Sequence, residues 1–288
     1  MSEITRKVRC GNFRRGGNIA LSALALLTLA WPAMAGRTTE TELIFAGSGT
    51  NIPVVRILAR EFEKRHPGVH IDVPASIGST SGIRAAADGA VALGLISRPL
   101  KENEKGLGLE VRNFARTPMI IGVHSSVAED NITSEELLDI YRGKKAKWKD
   151  GKEVIVLTRE PGDSSIEVLA KRIPGFGTVY DESRQSKRWS ILYKDLAMNE
   201  TLAKTPCAIG LSDLGAVTIE KHAIKPLKIN GVAPALDNLA SGKYQLYKTL
   251  TFVYRKDKLP TEARAFMNFV RSREGEKILK ANGYLAEK

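Results

Sequence analysis

Short apolar runs alternate with amphipathic stretches along most of the chain. Residues 43–45 form an apolar run typical of a buried strand, and residues 53–64 carry apolar side chains at helical spacing. The same order recurs, with a strand predicted at 69–73, a helix at 83–87 and a strand at 91–96. Strands that alternate with helices predict an α/β fold.

The second half of the chain continues this alternation. Capping boxes are predicted at Thr133 with Glu136 and at Ser164 with Glu167, each at the start of a helix. The helix at Ser164 follows a β-branched strand at 154–157. Further strands are predicted at 207–211 and 249–254, and further helices at 187–197, at 263–270 and in the segment that ends at 282–283.

Three polar turns rich in Gly, Ser and Thr each follow a predicted strand and open a predicted helix. They span residues 48–51, 78–82 and 163–165. A helix N-terminus presents unpaired N–H groups and a partial positive charge, which suit an oxyanion. One such turn is more often ordinary capping, but three in one chain favour convergence on one anion. Arg159 adds a guanidinium suited to bidentate binding of a tetrahedral oxyanion.

The first 35 residues are organised like a secretory signal peptide. Five basic residues among the first 15 precede an apolar run at 19–29, and Ala33-Met34-Ala35 is a small-x-small cleavage site. The apolar run is well short of the roughly 20 residues that a membrane-spanning helix needs. We therefore expect export to the periplasm, and Arg14-Arg15 leaves open whether the route is Sec or twin-arginine.

The charge of the chain favours an anionic partner without identifying it. The sequence has 44 Lys and Arg against 32 Asp and Glu, a formal net charge of +12. Cleavage after residue 35 leaves 253 residues with a net charge of +8. Cys10 leaves with the signal peptide and Cys207 remains alone, so no internal disulfide is expected.

Catalysis has little support in the sequence. The four His residues are scattered without paired metal-ligand spacing, and no phosphate-loop motif is present. Gly47-Ser48-Gly49 lacks the first glycine of a nucleophile elbow. The lysine-rich segment 144–149 is better explained as a solvated turn than as a nucleic-acid site. No catalytic residue, metal site, cofactor or nucleic-acid partner is expected.

Short motifs follow one another in a fixed order along nearly all of residues 41–285. They are Gly47 to Pro53, Ile77 to Ile83, Gly94 to Leu100, Ile140 to Lys144 followed by Trp148, Arg159 with its Gly/Ser turn, Ala208 to Gly210, Gly231-Val232 followed by Ser241 to Tyr244, and Gly275 to Tyr284. This ordered set resembles the PstS-like periplasmic phosphate-binding proteins of ABC importers, whose order and spacing it shares.

The resemblance implies a type II periplasmic binding protein. Such an α/β fold has two lobes with a ligand cleft between them, joined by two crossing segments, here near residues 117–123 and 248–254. Residues 36–120 with 250–288 would form lobe 1, and residues 121–249 would form lobe 2. It further implies a monomer that captures inorganic phosphate and delivers it to a membrane ABC permease.

The resemblance also implies the phosphate contacts by matching position. They are Thr50, Asn51, Ser79, Ser97, Arg159, Asp163, Ser164 and Ser165. Ser97 stands where the best-known branch has a carboxylate that accepts a ligand proton, and Asp163 stands where Ser is usual. Two hypotheses for Asp163 stay open: it accepts a proton from HPO4, or it caps the helix or pairs with Arg159.

Two other functions stay open. The same fold with another ligand would be a binding protein or sensor for sulfate or molybdate. An exported phosphate-ester hydrolase is the second alternative, and the lack of a metal-ligand cluster in the sequence disfavours it.

Overall fold

The computed structural model describes residues 40–287 of the chain. The predicted signal peptide at 1–35 lies outside these residues. None of the helices within 40–287 has both the length and the hydropathy needed to cross a bilayer.

Strands and helices alternate along the described chain, as the sequence predicts. The strands are β1 (Thr41–Gly47), β2 (Val69–Asp72), β3 (Leu93–Ile96), β4 (Glu110–His124), β5 (Asn131–Ile132), β6 (Ile155–Arg159), β7 (Ser190–Leu192), β8 (Ala208–Asp213), β9 (Ile224–Pro226), β10 (Lys228–Ile229), β11 (Tyr247–Tyr254) and β12 (Leu285–Ala286). The helices are α1 (Ile52–Glu63), α2 (Gly78–Asp88), α3 (Glu102–Lys105), α4 (Ser134–Arg142), α5 (Ser164–Arg172), α6 (Phe176–Gln185), α7 (Asp195–Lys204), α8 (Leu214–Glu220), α9 (Leu236–Ala240), α10 (Thr261–Val270) and α11 (Arg273–Ala281). The predicted α/β fold is confirmed.

One mixed sheet runs through the molecule in the order β2-β1-β3-β11-β4-β8-β6-β7, with β9 and β12 paired to β4. Strands β1, β2 and β3 are parallel, as are β6, β7 and β8, whereas β4 and β11 run antiparallel to their neighbours. Strand β4 pairs with β11 up to Pro118 and with β8 from Met119 onwards, so it joins the two halves of the sheet. The two crossing segments implied by the resemblance therefore fall on β4 and β11.

Each half of the sheet has its own hydrophobic core. The first core packs β1 and β3 against α1 and α10 through residues such as Phe45, Leu58 and Phe266, all fully buried. The second core packs α4, α5 and α6 together and includes Ile140 and Phe176. We call the half built on each core the first lobe and the second lobe. The predicted residue bounds of the lobes stay a prediction.

Two predicted helix starts have the expected local chemistry. Pro53 lies in the first turn of α1, where a missing N–H costs no hydrogen bond. The predicted capping box of α4 is confirmed: the Thr133 hydroxyl accepts from the Glu136 N–H at 3.1 Å, and the Glu136 carboxylate accepts from the Thr133 N–H at 2.9 Å. Gly143 closes α4 in the left-handed region, with φ 77°.

The polar segment 78–82 is helix rather than the predicted loop, because α2 already begins at Gly78. Gly82 serves close packing: a β-carbon there would lie 2.8 Å from the Gly47 α-carbon on β1. The glycine therefore permits a close approach of helix and strand rather than a turn.

Two further predictions are wrong. Helix α5 is capped by Asp163, whose Oδ1 accepts from the Ser165 N–H at 2.9 Å, so the predicted box of Ser164 with Glu167 does not form. The helix predicted at 187–197 is replaced by strand β7 followed by α7, which begins only at Asp195. Strand β7 has only three residues and forms by pairing with β6, which lies earlier in the chain. So short a strand shows no hydrophobic periodicity from which the sequence could predict it.

Candidate functional site

Polar residues of both lobes meet where parallel strands end. Ser48 follows β1 and Ser97 follows β3, both in the first lobe, while Arg159 ends β6 and Asp213 ends β8 in the second. In open α/β sheets the carboxyl ends of the strands form the ligand crevice. The strand order thus brings these four residues to one cleft.

A cavity of about 500 Å³ occupies this cleft. Four of the eight predicted contact residues line it, namely Ser79, Arg159, Asp163 and Ser164. The other four lie behind the cavity wall and are at most 2% exposed, namely Thr50, Asn51, Ser97 and Ser165. The structure therefore brings all eight into one region but only half of them to the cavity surface.

A chain of serine hydroxyls crosses from one lobe to the other. The Ser97 Oγ lies 2.7 Å from the Ser48 Oγ and 3.0 Å from the Ser164 Oγ. The Ser97 N–H donates to the Ser79 Oγ at 3.3 Å. Hydroxyls can both donate and accept, so this chain can reorient its protons towards an anion in the cavity.

Arg159 presents unused donors to the cavity. Its side chain is 3% exposed, and its Nη2 donates to the Asp163 Oδ2 at 2.8 Å. Its Nε and Nη1 are buried and have no hydrogen-bond partner among residues 40–287. Burial alone would lower the pKa of Arg159, but Asp163 and Asp195 outweigh it and the pKa is raised. Arg159 is therefore a permanent cation that lines the cavity and keeps two donors without a partner among residues 40–287.

Asp163 both caps α5 and pairs with Arg159. Burial would raise its pKa, but the charges of Lys248 and Arg159 outweigh that effect and the pKa is lowered, so the carboxylate is ionised. Both oxygens accept hydrogen bonds, Oδ1 from the Ser165 N–H and Oδ2 from Arg159. The contacts of the second hypothesis for Asp163 are thus both present.

Thr50 belongs to a buried network that joins both lobes. Its hydroxyl donates to the Asp213 Oδ2 at 2.9 Å, and the Lys248 Nζ donates to the Thr50 Oγ1 at 3.1 Å. Burial would lower the pKa of Lys248, but Asp213 and Asp163 outweigh it and the pKa is raised, so the ammonium persists. The Asn51 Nδ2 donates to the Ile96 carbonyl at 3.2 Å. These contacts fix the turn that opens α1.

The sequence patterns do not predict several of the residues that line the cavity. Asp195 and Tyr193 belong to the segment that was predicted as helix, and Lys101 and Glu160 carry no motif. Burial raises the pKa of Glu160. Asp213 lies outside the cavity lining, and its signal in the sequence is an acidic residue at the end of the buried strand β8, an unusual place for a charge.

A buried ion pair supports the cavity wall in the first lobe. Arg98 donates through Nη1 and Nη2 to the two carboxylate oxygens of Glu104, both at 2.7 Å, and through Nη2 to the Thr80 hydroxyl. Both terminal nitrogens of Arg98 are thus hydrogen-bonded within the protein, whereas two donors of Arg159 have no partner within residues 40–287. Within residues 40–287, no group of three or more His, Cys, Asp or Glu side chains is arranged to hold a metal ion.

A family model described as a PBP superfamily domain matches residues 32–274. The chain belongs to the PBP superfamily. Among curated relatives of this PBP superfamily member, the phosphate-binding protein PstS of Bacillus subtilis (strain 168) is 27% identical over 256 residues, covering 84% of this chain and 80% of the relative. The phosphate-binding protein PstS of Borreliella burgdorferi is 24% identical over 256 residues, covering 86% and 91%.

Solved structures of other PBP superfamily proteins share the fold. A putative phosphate ABC transporter substrate-binding protein with bound phosphate from Clostridium perfringens superposes with a TM-score of 0.77 at 23% identity, covering 86% of this chain and all of that one. An ABC-type phosphate transport receptor from Vibrio cholerae superposes with a TM-score of 0.61 at 22% identity. The predicted family and its two-lobe fold are confirmed.

Proposed function

We propose that this PBP superfamily member captures inorganic phosphate outside the cytoplasmic membrane and delivers it to an ABC importer. The observation that carries the proposal is the buried Arg159, which lines a cavity between the lobes and whose Nε and Nη1 have no partner within residues 40–287. Asp163 occupies only the Nη2 of Arg159, so the two remaining buried donors still need an acceptor, and a charged acceptor bonds to them most strongly. A tetrahedral oxyanion supplies several charged acceptor atoms.

Residues of both lobes make up the proposed phosphate site. They are Thr50, Asn51, Ser79 and Ser97 of the first lobe and Arg159, Asp163, Ser164 and Ser165 of the second. Ser79, Ser164 and Arg159 would donate to the ion directly. Ser97 would act through the hydroxyl chain, while Thr50 and Asn51 shape the α1 turn and Ser165 anchors Asp163. Asp163 would hold Arg159 in place.

The names of the relatives support phosphate over other oxyanions. The two PstS proteins are named phosphate-binding, and the Clostridium perfringens structure holds bound phosphate. Sulfate and molybdate are the competing ligands. Because sulfate has no proton at neutral pH, carboxylates beside the cavity disfavour it.

The remaining features of the proposal concern the protein's setting. The chain would act as a monomer without catalytic chemistry and without a nucleic-acid partner, and a membrane ABC permease would receive the phosphate. Signal-directed export at residues 1–35 would bring it to the periplasm. Lobe 1 would comprise residues 36–120 with 250–288, and lobe 2 residues 121–249. The separate core of each lobe supports this division.

Calorimetric titration with phosphate tests the proposal. The wild-type protein, stripped of bound anion, should bind one phosphate, and Arg159→Ala should bind it at least about 100-fold more weakly because two charge-assisted hydrogen bonds are lost. Arg264→Ala is the matched control, since Arg264 is an exposed residue of α10 outside the cavity, and it should bind like wild type. Unchanged affinity in Arg159→Ala would overturn the site assignment, and stronger binding of sulfate would overturn the ligand.

A further inference from the structure

Asp195 is a second carboxylate beside Arg159. It begins α7 in the second lobe and lines the cavity, with its side chain 24% exposed. Its Oδ2 lies 3.7 Å from the Arg159 Nη2. Asp195 thus faces the guanidinium that the proposed anion would use.

The same carboxylate reaches across the cleft to the first lobe. A β-carbon built on Gly49 would collide with the Asp195 carboxyl group, so this carboxyl group packs directly against the Gly49 backbone. Gly49 lies in the turn that opens the 12-residue helix α1. A carboxylate in front of a helix N-terminus is electrostatically favoured. Asp195 therefore lies between Arg159 of the second lobe and the turn that opens α1 in the first lobe.

Asp195 is held there by charge rather than by hydrogen bonds. Its carboxylate accepts no hydrogen bond from any residue of 40–287, and the ion pair with Arg159 is longer than a hydrogen bond. Asp163 differs, because both of its oxygens accept hydrogen bonds. Asp195 is thus the carboxylate that an incoming ion can displace.

We propose that Asp195 is a competing carboxylate that determines which anions the cleft accepts. This inference rests on the proposed function and deepens it. A ligand must displace Asp195 from Arg159 and from the α1 turn. A dianion such as HPO4²⁻ carries twice the charge of a carboxylate and offers more acceptor atoms, so it displaces Asp195. A monoanion such as chloride or nitrate gains too little electrostatic energy beside Arg159 to displace Asp195.

The Asp195→Asn variant tests this role, because it keeps the shape of the side chain and removes its charge. In titrations of anion-free protein it should bind phosphate about tenfold more tightly than wild type. Chloride and nitrate should also begin to compete with phosphate in the variant. Asp181→Asn is the matched control: it makes the same substitution at an exposed residue of α6 outside the cavity, and its affinity should stay within about threefold of wild type.

Each outcome decides the proposal. Weaker phosphate binding by Asp195→Asn would show that Asp195 holds the ligand, and unchanged binding would show that it does not compete; either result overturns the inference. A wild-type protein that binds no phosphate would instead contradict the proposed function. In that case thermal stabilisation by sodium sulfate and sodium chloride at constant ionic strength still tests Asp195. The variant should gain more than wild type from both salts, and equal gains would overturn the inference.

Discussion

The Lys248 Nζ lies 3.3 Å from the Asp213 Oδ2, and neither side chain is more than 2% exposed. Lys248 belongs to the crossing strand β11, while Asp213 ends β8 of the second lobe. The Thr50 hydroxyl of the first lobe bonds to both. Removing either partner of such a buried ion pair destabilises the fold, because the remaining charge is left buried without a counter-charge and without water.

We expect Lys248→Met to reduce the free energy of unfolding by about 3–5 kcal/mol, because burial already raises the pKa of Asp213 and the variant leaves this buried group without its counter-charge. Chemical denaturation measures this loss. The double variant Lys248→Met with Asp213→Asn should be less destabilised than the sum of the two single variants. Additive losses would contradict an ion pair that acts as a unit.

The buried pair of Arg98 and Glu104 predicts a pH dependence of stability. The hydrogen bonds from Arg98 outweigh burial and lower the pKa of Glu104 below its ordinary value of 4.5. A carboxylate with a lowered pKa in the folded state stabilises above the unfolded-state pKa, and this stabilisation is lost as the pH falls through the folded-state pKa. The unfolding free energy should therefore fall below about pH 4.5.

Glu104→Gln should remove this part of the acid dependence and should destabilise the protein at pH 7. Glu102→Gln is the control, since the Glu102 side chain is 89% exposed and its ion pair with Lys105 lies at the surface. Urea denaturation between pH 3 and pH 7 measures both variants. Identical pH profiles for wild type and Glu104→Gln would contradict the prediction.

Asp163→Asn separates the two hypotheses for Asp163. Asparagine has one acceptor oxygen, so it can keep the cap to the Ser165 N–H while its amide nitrogen no longer accepts from Arg159. With only that one bond lost, phosphate affinity should fall by less than about tenfold. Calorimetry with phosphate measures the change. A loss of more than about 100-fold, with α5 still folded by circular dichroism, would instead indicate that the Asp163 carboxylate accepts the ligand's proton.

Ser97→Ala interrupts the hydroxyl chain between Ser48 and Ser164. One or two neutral hydrogen bonds are lost, so phosphate affinity should fall by about 3- to 30-fold. Ser241→Ala removes the exposed hydroxyl of a residue outside the cavity and should leave affinity unchanged. Equal affinities for both variants in a phosphate titration would show that the chain of serine hydroxyls does not contribute to phosphate binding.

Much of this architecture is accessible from the sequence, because local chemistry encodes it. The start of α4 follows from the capping box at Thr133, and Arg159 stands out as a cation beside a helix-opening turn. Asp195 and Lys248 were missed for a different reason. Their roles depend on partners 35 to 198 residues away along the chain, and no periodicity in the sequence predicts such contacts.

Thr50 shows the limit of assigning a site by matching position. The residue lies in the predicted turn, but its hydroxyl is directed to Asp213 rather than to the cavity. The direction of a side chain depends on neighbours that the fold supplies, and here the buried Lys248 and Asp213 provide the bonding partners.

A crystal structure of the protein grown with inorganic phosphate tests the proposed site most directly. We expect one tetrahedral ion in the cleft, within about 3 Å of the Arg159 Nε and Nη1, with hydroxyls of both lobes donating to it. A phosphate ion bound elsewhere, with no ligand atom near the Arg159 donors, would contradict the proposed site if titration also shows stoichiometric phosphate binding.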